Sequence, residues 1–263
     1  MTRLVLKLGG HALDDLSASS PLLVALAEDL RALVSEGVQV AVVHGGGPQI
    51  AELLSRVGLP SEFHQGLRVT TPATMEYVAM ALASVNAALV AALSHAGLAC
   101  VGLRGADGAM IRGRSLGEPW DRAGAVVSVT SQLLETQWRG GYLPVVSPVV
   151  IDEHGALLNC NADIVAGALA GALGAETLVL LSDVDQLRAD PDDAASALTS
   201  VSAARVRDLI DSGAAREGMR PKMTAALDAL EAGARRVLLA NGLRPHAVRD
   251  VVRGQIPTTE VVA

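Results

Sequence analysis

The sequence has very few aromatic residues and very few cysteines. Phe, Trp and Tyr make up 2% of its 263 residues, so the core must be built mainly from Ala, Val and Leu. The two cysteines, Cys100 and Cys160, lack the spacing of a metal site, which favours buried free thiols. Basic runs interleaved with aromatic residues are absent and the net charge is −7, so nucleic acid is a disfavoured partner.

Long apolar runs and targeting segments are also absent. The longest stretch without a polar residue covers residues 164–175, which is shorter than the roughly 20 residues that a membrane-spanning helix needs. The short apolar stretch at the N-terminus is interrupted by Lys7 and does not have the pattern of a signal peptide. These features predict a cytoplasmic protein that does not associate with a membrane.

Lysine is nearly absent, and its two positions are informative. Lys and Arg together number 21, and only Lys7 and Lys222 are lysines. A compact ammonium and a planar guanidinium are not interchangeable, so these positions are candidates for sites that need a point charge, with compositional bias as the alternative. Both lysines lie close to glycines: Gly9 comes shortly after Lys7, and Gly218 comes shortly before Lys222.

The order of periodic segments predicts an α/β fold. Strands that are almost continuously apolar alternate with helices, which is typical of a mostly parallel sheet covered on both faces, here a three-layer αβα sandwich. The predicted strands are residues 4–8, 39–43, 99–103, 142–147, 177–182, 236–240 and 258–262. The predicted helices are residues 21–36, 48–57, 73–96, 131–139, 161–173, 203–212, 220–232 and 245–253. Residues 105–130 are predicted to form a hairpin excursion, and residues 189–199 a loop.

A triple glycine at residues 45–47 follows a predicted strand and precedes a helix that Pro48 can start. Main-chain N–H groups in such a loop, together with the helix N-terminus, form a cradle for an anion. The dinucleotide fingerprint is excluded because Ile50 stands where its third glycine belongs, and a P-loop motif is also missing. If this chain binds phosphate groups, it must therefore do so without either of these two motifs.

Six segments, in order over nearly the whole chain, resemble the motifs of the amino-acid kinase family. They are Lys7-Leu8-Gly9-Gly10, His44-Gly45-Gly46-Gly47-Pro48, Gly66-Leu67-Arg68-Val69-Thr70, Asn159-Cys160-Asn161-Ala162-Asp163, Ser182-Asp183-Val184 and Gly218-Met219-Arg220-Pro221-Lys222. Within the family, the chain is similar to the enzymes of arginine biosynthesis that transfer the γ-phosphoryl group of ATP, with Mg²⁺, to the γ-carboxylate of N-acetyl-L-glutamate. The resemblance implies the αβα fold and this activity.

The resemblance also implies roles for the matched residues. Lys7 and Lys222 would stabilise the transition state, Lys7 near the transferring phosphoryl group and Lys222 near the leaving side, and Asp163 would hold both lysines. An acceptor carboxylate is already ionised at neutral pH, so the reaction needs positioning and charge stabilisation rather than a general base. The implied acceptor-binding residues are Gly46, Gly47, Arg68 and Asn159, with the Arg68 guanidinium paired to the α-carboxylate.

The implied nucleotide-binding residues are Gly9, Gly10, Asp183, Val184, Leu187, Ala214, Ala215 and Arg216. The Asp185-Gln186-Leu187 segment departs from the glycine-containing turn of the family, which bears on the adenine contacts. The phosphates of ATP would bind the Mg²⁺ for the most part, and no metal site made of protein side chains is expected. His44 is expected to orient the glycine loop.

Residues 1–175 are expected to form a lobe for acceptor binding and dimerisation, and residues 176–263 a nucleotide-binding lobe, within one continuous fold. Arginine-inhibited members of the family carry an N-terminal helix that links dimers into a ring. The first strand begins by Leu4 and leaves no room for such a helix, so a homodimer insensitive to arginine is expected.

Two alternative functions remain open. One is a kinase that acts on aminoadipate or glutamate attached to an acidic carrier protein in lysine biosynthesis, which the acidic net charge disfavours. The other is a non-catalytic binding protein that senses an amino acid, which the presence of Lys7, Lys222 and Asp163 disfavours.

Overall fold

A computed structural model describes residues 2–190, 192–213 and 219–263. The strands in these ranges are β1 Arg3–Leu8, β2 Gln39–His44, β3 Phe63–His64, β4 Leu67–Arg68, β5 Cys100–Arg104, β6 Ile111–Gly117, β7 Asp121–Val129, β8 Leu143–Ser147, β9 Val149–Ile151, β10 Leu157–Cys160, β11 Thr177–Ser182, β12 Leu187–Arg188, β13 Ala197–Leu198, β14 Ser200–Ser202, β15 Arg236–Asn241 and β16 Thr258–Val262. The helices are α1 Pro21–Ser35, α2 Gly47–Arg56, α3 Pro72–His95, α4 Gln132–Arg139, α5 Ala162–Leu173, α6 Ala203–Asp211, α7 Arg220–Glu231 and α8 Ala247–Val252.

The central layer is an eight-stranded sheet in the order β14-β16-β15-β11-β1-β2-β8-β5. Its neighbouring strands run parallel except β15 and β16, which are antiparallel. Helices α4, α5, α6 and α7 pack on one face of the sheet, and α1, α3 and α8 pack on the other. The predicted three-layer sandwich with a mostly parallel sheet is therefore confirmed.

Three small β-structures lie beside the main sheet in the described ranges. Strands β3 and β4 form a hairpin, and β10, β7, β6 and β9 form a small closed barrel that contains the predicted hairpin excursion. Strands β3, β4, β9 and β10 were not expected, because strands of two to four residues are too short to show a hydrophobic period. The predicted loop at residues 189–199 includes the short strand β13, which pairs with β12.

Helix α3 is long and apolar enough to cross a membrane by length and composition alone, with a mean hydropathy of 1.8 over its most apolar window. In the structure it lies in the outer layer of the sandwich. Val85, Leu89 and Leu93 on its inner side are buried in the core with residues of β2 and β8. These contacts identify α3 as a core helix of this fold.

Helices α5 and α7 pack unusually closely because α5 presents glycines to α7. A Cβ atom at Gly167 would lie 2.6 Å from the main-chain oxygen of Ala225, and one at Gly171 would lie 2.2 Å from the Cβ of Ala232. No side chain fits at either position unless the helices move apart. The two glycines therefore allow α5 and α7 to approach closely along their middle and C-terminal turns.

We expect Gly171→Ala to lower the free energy of unfolding by about 1–3 kcal/mol, because the added methyl group overpacks the helix contact although Ala is the better helix former. Urea denaturation measures this change. The control Ala172→Ser, at an exposed position of the same helix, should alter the stability by less than about 0.5 kcal/mol. A Gly171→Ala variant as stable as the parent would contradict the close packing of α5 on α7.

Candidate active site

A cavity of about 330 Å³ opens where β1 and β2 end in glycine loops. It brings together residues that are far apart in the chain. The predicted site residues that line it are Lys7, Gly9, Gly46, Gly47, Arg68, Asn159 and Asp163. The cavity is therefore the candidate active site.

Both lysines of the chain contact one buried carboxylate beside this cavity. Lys7 Nζ lies 2.9 Å from Asp163 Oδ1, and Lys222 Nζ donates a hydrogen bond of 3.0 Å to Asp163 Oδ2. The Lys7 and Asp163 side chains are each 6% exposed, and that of Lys222 is 13% exposed. The ammonium groups predicted to act together thus meet at one point, although they are more than 200 residues apart in the sequence.

Three secondary-structure elements position this triad. Alternation along β1 places Lys7 on the same face as Val5, which packs with α5. Asp163 lies in the first turn of α5, where Asn161 caps the helix by accepting hydrogen bonds from the main-chain N–H groups of Asp163 and Ile164. Lys222 lies in the first turn of α7, which the glycine contact holds against α5.

Burial and mutual charge shift the pKa values of this triad. Burial lowers the pKa of Lys7 below its ordinary 10.5; Asp163 opposes this shift and Lys222 adds to it. Burial alone would raise the pKa of Asp163, but the two ammonium groups lower it below its ordinary value. Asp163 therefore stays ionised at neutral pH, and with both lysines charged the triad carries a net charge of +1.

The glycines of the cavity leave room for the Lys7 side chain and open space at the start of α2. A Cβ atom at Gly9 would lie 2.0 Å from Lys7 Nζ, so this position must be glycine if the ammonium is to stay in place. Gly45 N–H donates to the Leu8 carbonyl at 2.9 Å and ties the glycine loop to β1. No atom lies within 4 Å of a Cβ built at Gly47, the first residue of α2, so this helix N-terminus faces open space.

The Arg68 side chain forms part of the cavity wall. Nη2 donates to the Gly47 carbonyl at 3.0 Å, Nη1 donates to Ser61 Oγ, and the guanidinium stacks on the Phe63 ring with 4.6 Å between Cζ and the ring centroid. Arg68 is 7% exposed, and burial lowers its pKa, but a guanidinium remains charged. Among the described residues, no carboxylate pairs with it, so its charge is available to a ligand.

Asn159 lines the same wall. Its Nδ2 donates to Thr70 Oγ1 at 3.2 Å, and this hydroxyl donates in turn to the Arg68 carbonyl at 3.0 Å. Asn159 therefore supports the segment that carries Arg68 and is itself a lining residue of the cavity.

The predicted nucleotide-binding residues differ from one another in exposure. Asp183 and Val184 are exposed after β11, whereas the Leu187 side chain is buried in the core and its N–H donates to Thr259 Oγ1 at 2.9 Å. Gly10 begins a short 3₁₀ turn, Gly10–Leu13, directly after Gly9. Ala214, Ala215 and Arg216 lie outside the described residues, so these three assignments stay predictions.

His44 contacts the glycine loop through a hydrogen bond to Gly45. It is fully buried; its Nδ1 is 2.7 Å from the Gly45 carbonyl, and its Nε2 is 3.0 Å from Asn86 Nδ2. A carbonyl only accepts and an amide nitrogen only donates, so Nδ1 carries the proton and Nε2 accepts. Burial lowers the pKa of His44 to about 4, which keeps the ring neutral. In the described ranges, no group of His, Cys, Asp and Glu side chains could hold a metal ion.

Several residues of the site had no signal in the sequence. Ser61, Phe63 and Asn86 contact the predicted residues only through the tertiary fold, and a lone polar or aromatic residue gives no pattern to read. Arg104 forms two side-chain hydrogen bonds with Asp107 and closes a surface turn.

Comparison with known proteins was made by sequence and by structure. A model of the amino acid kinase family matches residues 2–241. The acetylglutamate kinase of Symbiobacterium thermophilum is 41% identical over 254 residues, covering 93% of this chain and 85% of that protein. The acetylglutamate kinase of Methanocaldococcus jannaschii is 39% identical over 257 residues, covering 93% and 84%. The crystal structure of smu.665 from Streptococcus mutans has a TM-score of 0.82 and 27% identity, covering 99% of this chain and 98% of that one.

The buried His44 predicts a pH dependence of stability. Between its ordinary pKa of 6.5 and the folded value of about 4, the unfolded state takes up a proton that the folded state does not. We therefore expect His44 to lower the free energy of unfolding by about 3 kcal/mol as the pH falls from its ordinary pKa of 6.5 to the folded value of about 4. Denaturation of the parent and of His44→Gln at several pH values measures it, and parallel stability curves for the two proteins would contradict it.

Proposed function

The chain belongs to the amino acid kinase family, and we propose that it transfers the γ-phosphoryl group of ATP to the γ-carboxylate of N-acetyl-L-glutamate, as a step of arginine biosynthesis in the cytoplasm. One observation carries the proposal. Two lysine ammonium groups share the Asp163 carboxylate beside a glycine-lined cavity, which the buried Arg68 also lines. The similarity to acetylglutamate kinases over 93% of the chain supports the choice of acceptor.

The charges of the cavity suit two anions that must be brought together. With both lysines charged, the triad contributes a net charge of +1. Arg68 adds a further positive charge, and no carboxylate among the described residues pairs with it. Repulsion between a phosphoryl group and a carboxylate is a large part of the barrier, so fixed positive charge in a buried site lowers it. Arg68 binds the α-carboxylate of the acceptor, and Asn159 binds its polar groups.

No residue of the site needs to act as a base. The acceptor carboxylate is already ionised, and the Asp163 oxygens are occupied by Lys7 and Lys222. Asp163 therefore orients the two ammonium groups. Lys7 stabilises the charge on the transferring phosphoryl group and Lys222 the charge on the leaving side, while the N–H groups of Gly46 and Gly47 are donors to the substrate oxygens.

The same cavity fits a nucleotide phosphate. When bound, ATP supplies the phosphoryl group, and Mg²⁺ coordinated by its phosphates neutralises part of their charge. Gly9 and Gly10 offer main-chain donors to the phosphates beside Lys7. Asp183, Val184 and the main chain at Leu187, together with Ala214, Ala215 and Arg216, bind the rest of the nucleotide.

The sheet order supports the division into two lobes. Strands β11, β15, β16 and β14 lie on one side of β1, and β2, β8 and β5 lie on the other. Residues 1–175 supply Arg68 and Asn159 and bind the acceptor, and residues 176–263 supply Lys222 and bind the nucleotide.

A homodimer is the proposed assembly. The outer side of α3 exposes Met80 together with the small residues Ala83, Ala87 and Ala91, and it lies next to β5, the edge strand of the sheet. A surface of this kind lets two copies pack closely around a twofold axis.

We expect light scattering to give a mass twice that of one chain. Ala87→Glu should reduce it to the mass of a monomer, because a charge is then buried in the contact. Ala172→Glu, at an exposed alanine of α5, is the matched control and should leave the dimer intact. A monomeric parent protein would rule out the dimer, and a dimeric Ala87→Glu variant would place the contact elsewhere.

The activity is tested with ATP, Mg²⁺ and N-acetyl-L-glutamate, with hydroxylamine to trap the acyl phosphate. We expect turnover in the parent protein and a loss of kcat of at least about 100-fold in Lys222→Met and in Lys7→Arg, because each change removes a positioned ammonium. Arg104→Lys, at the surface turn, is the control and should keep full activity.

The same turnover assay also distinguishes the proposed function from the two alternative functions. Turnover only with an acceptor attached to an acidic carrier protein would support the lysine-biosynthesis kinase. Binding of an amino acid without turnover of any acceptor would support the sensor and would refute the proposed function.

A further inference from the structure

The Arg68 guanidinium is carried by a hairpin that has little support of its own. Strands β3 and β4 have two residues each, and their turn places Gln65 and Gly66 at φ values of 51° and 78°. The flanking residues Phe63 and His64 are exposed. A hairpin this short is not stable by itself in water, so contacts from elsewhere must hold it over the cavity.

Trp120 supplies such a contact from a distant part of the chain. It lies between β6 and β7, and its indole Nε1–H donates a hydrogen bond of 3.0 Å to the His64 carbonyl. The Trp120 and His64 rings also meet, with centroids 5.1 Å apart and planes tilted by 59°. His64 directly precedes the turn, so the indole contacts the far end of the hairpin.

The base of the hairpin is held separately by main-chain bonds. Thr70 N–H donates to the Trp120 carbonyl at 3.2 Å, and Arg122 N–H donates to the Thr70 carbonyl at 2.7 Å. A substitution of the Trp120 side chain leaves these bonds in place. The indole therefore has a distinct effect, which is to restrain the end of the hairpin near its turn.

We propose that Trp120 is a positioning residue for the acceptor site, acting through the β3–β4 hairpin. In the hairpin ladder Phe63 is opposite Arg68 and His64 is opposite Leu67. Fixing His64 fixes its neighbour Phe63, and the Phe63 ring in turn supports the Arg68 guanidinium. A hairpin ordered before binding spares the acceptor the entropy of ordering it. The inference rests on the proposed function, because it takes the Arg68 ligand to be the acceptor.

The test compares steady-state kinetics of Trp120→Ala and Trp120→Phe with the parent enzyme. Trp120→Ala removes the ring contact and the hydrogen bond, and it should raise KM for N-acetyl-L-glutamate about tenfold, with kcat and KM for ATP within about twofold of the parent. Trp120→Phe keeps a ring but lacks the donor, and it should raise the acceptor KM about threefold to fivefold.

Trp138→Phe is the matched control. Trp138 also donates its indole N–H to a main-chain carbonyl, that of Val40, at 2.9 Å, but it lies near the start of β2 and contacts Arg3. This variant loses the same kind of bond away from the cavity, so both KM values should stay within about twofold of the parent.

Hydrogen exchange without ligands gives a readout that does not depend on activity. Amides of residues 61–70 should exchange faster in Trp120→Ala than in the parent, and at the parental rate in Trp138→Phe. If the parent transfers no phosphoryl group to N-acetyl-L-glutamate, the proposed function fails, and this comparison still decides whether Trp120 restrains the hairpin.

Three results would overturn the inference. They are an acceptor KM within twofold of the parent in Trp120→Ala, unchanged exchange in residues 61–70, and an equal rise of both KM values together with a fall in kcat. The last pattern would mean general damage to the fold.

Discussion

The site depends on one carboxylate that two ammonium groups share. Asp163 is buried, and a buried charge is tolerated only when it is paired. With a single charged lysine the pair would be neutral; with two, the cluster keeps a surplus positive charge, which burial leaves only weakly screened by water. The fold concentrates its only lysine charges at this point, and an anion is the natural partner for the surplus.

The close approach of helices α5 and α7 is the structural condition for this arrangement. Asp163 and Lys222 both lie in first turns, so the spacing of the two helix axes sets the distance between their side chains. Gly167 and Gly171 allow a spacing that alanine would prevent. Helix packing on one face of the sheet thus determines the distances between the charged groups at the end of β1.

Much of this could be predicted from the sequence, and the exceptions have physical reasons. The main strands and helices follow from hydrophobic periodicity, and Lys7, Arg68 and Asp163 lie in glycine-rich or capped segments that stand out in the chain. A motif does not show which part of a residue is available: the Leu187 side chain lies in the core, which leaves its main chain for the predicted nucleotide contact. Trp120 could not be predicted, since its partner lies 56 positions away and the strands that bring them together are too short to recognise.

The scarcity of lysine also shapes the outer surface of the protein. Every ε-amino group of the chain belongs to Lys7 or Lys222, and both are engaged by a buried carboxylate. All other side-chain cations, apart from any protonated histidine, are guanidinium groups, which do not acylate readily and are not substrates for lysine acetylation or ubiquitination. Modifications that act on lysine side chains therefore have no peripheral target in this chain, and any such reaction would have to occur at the buried triad beside the cavity.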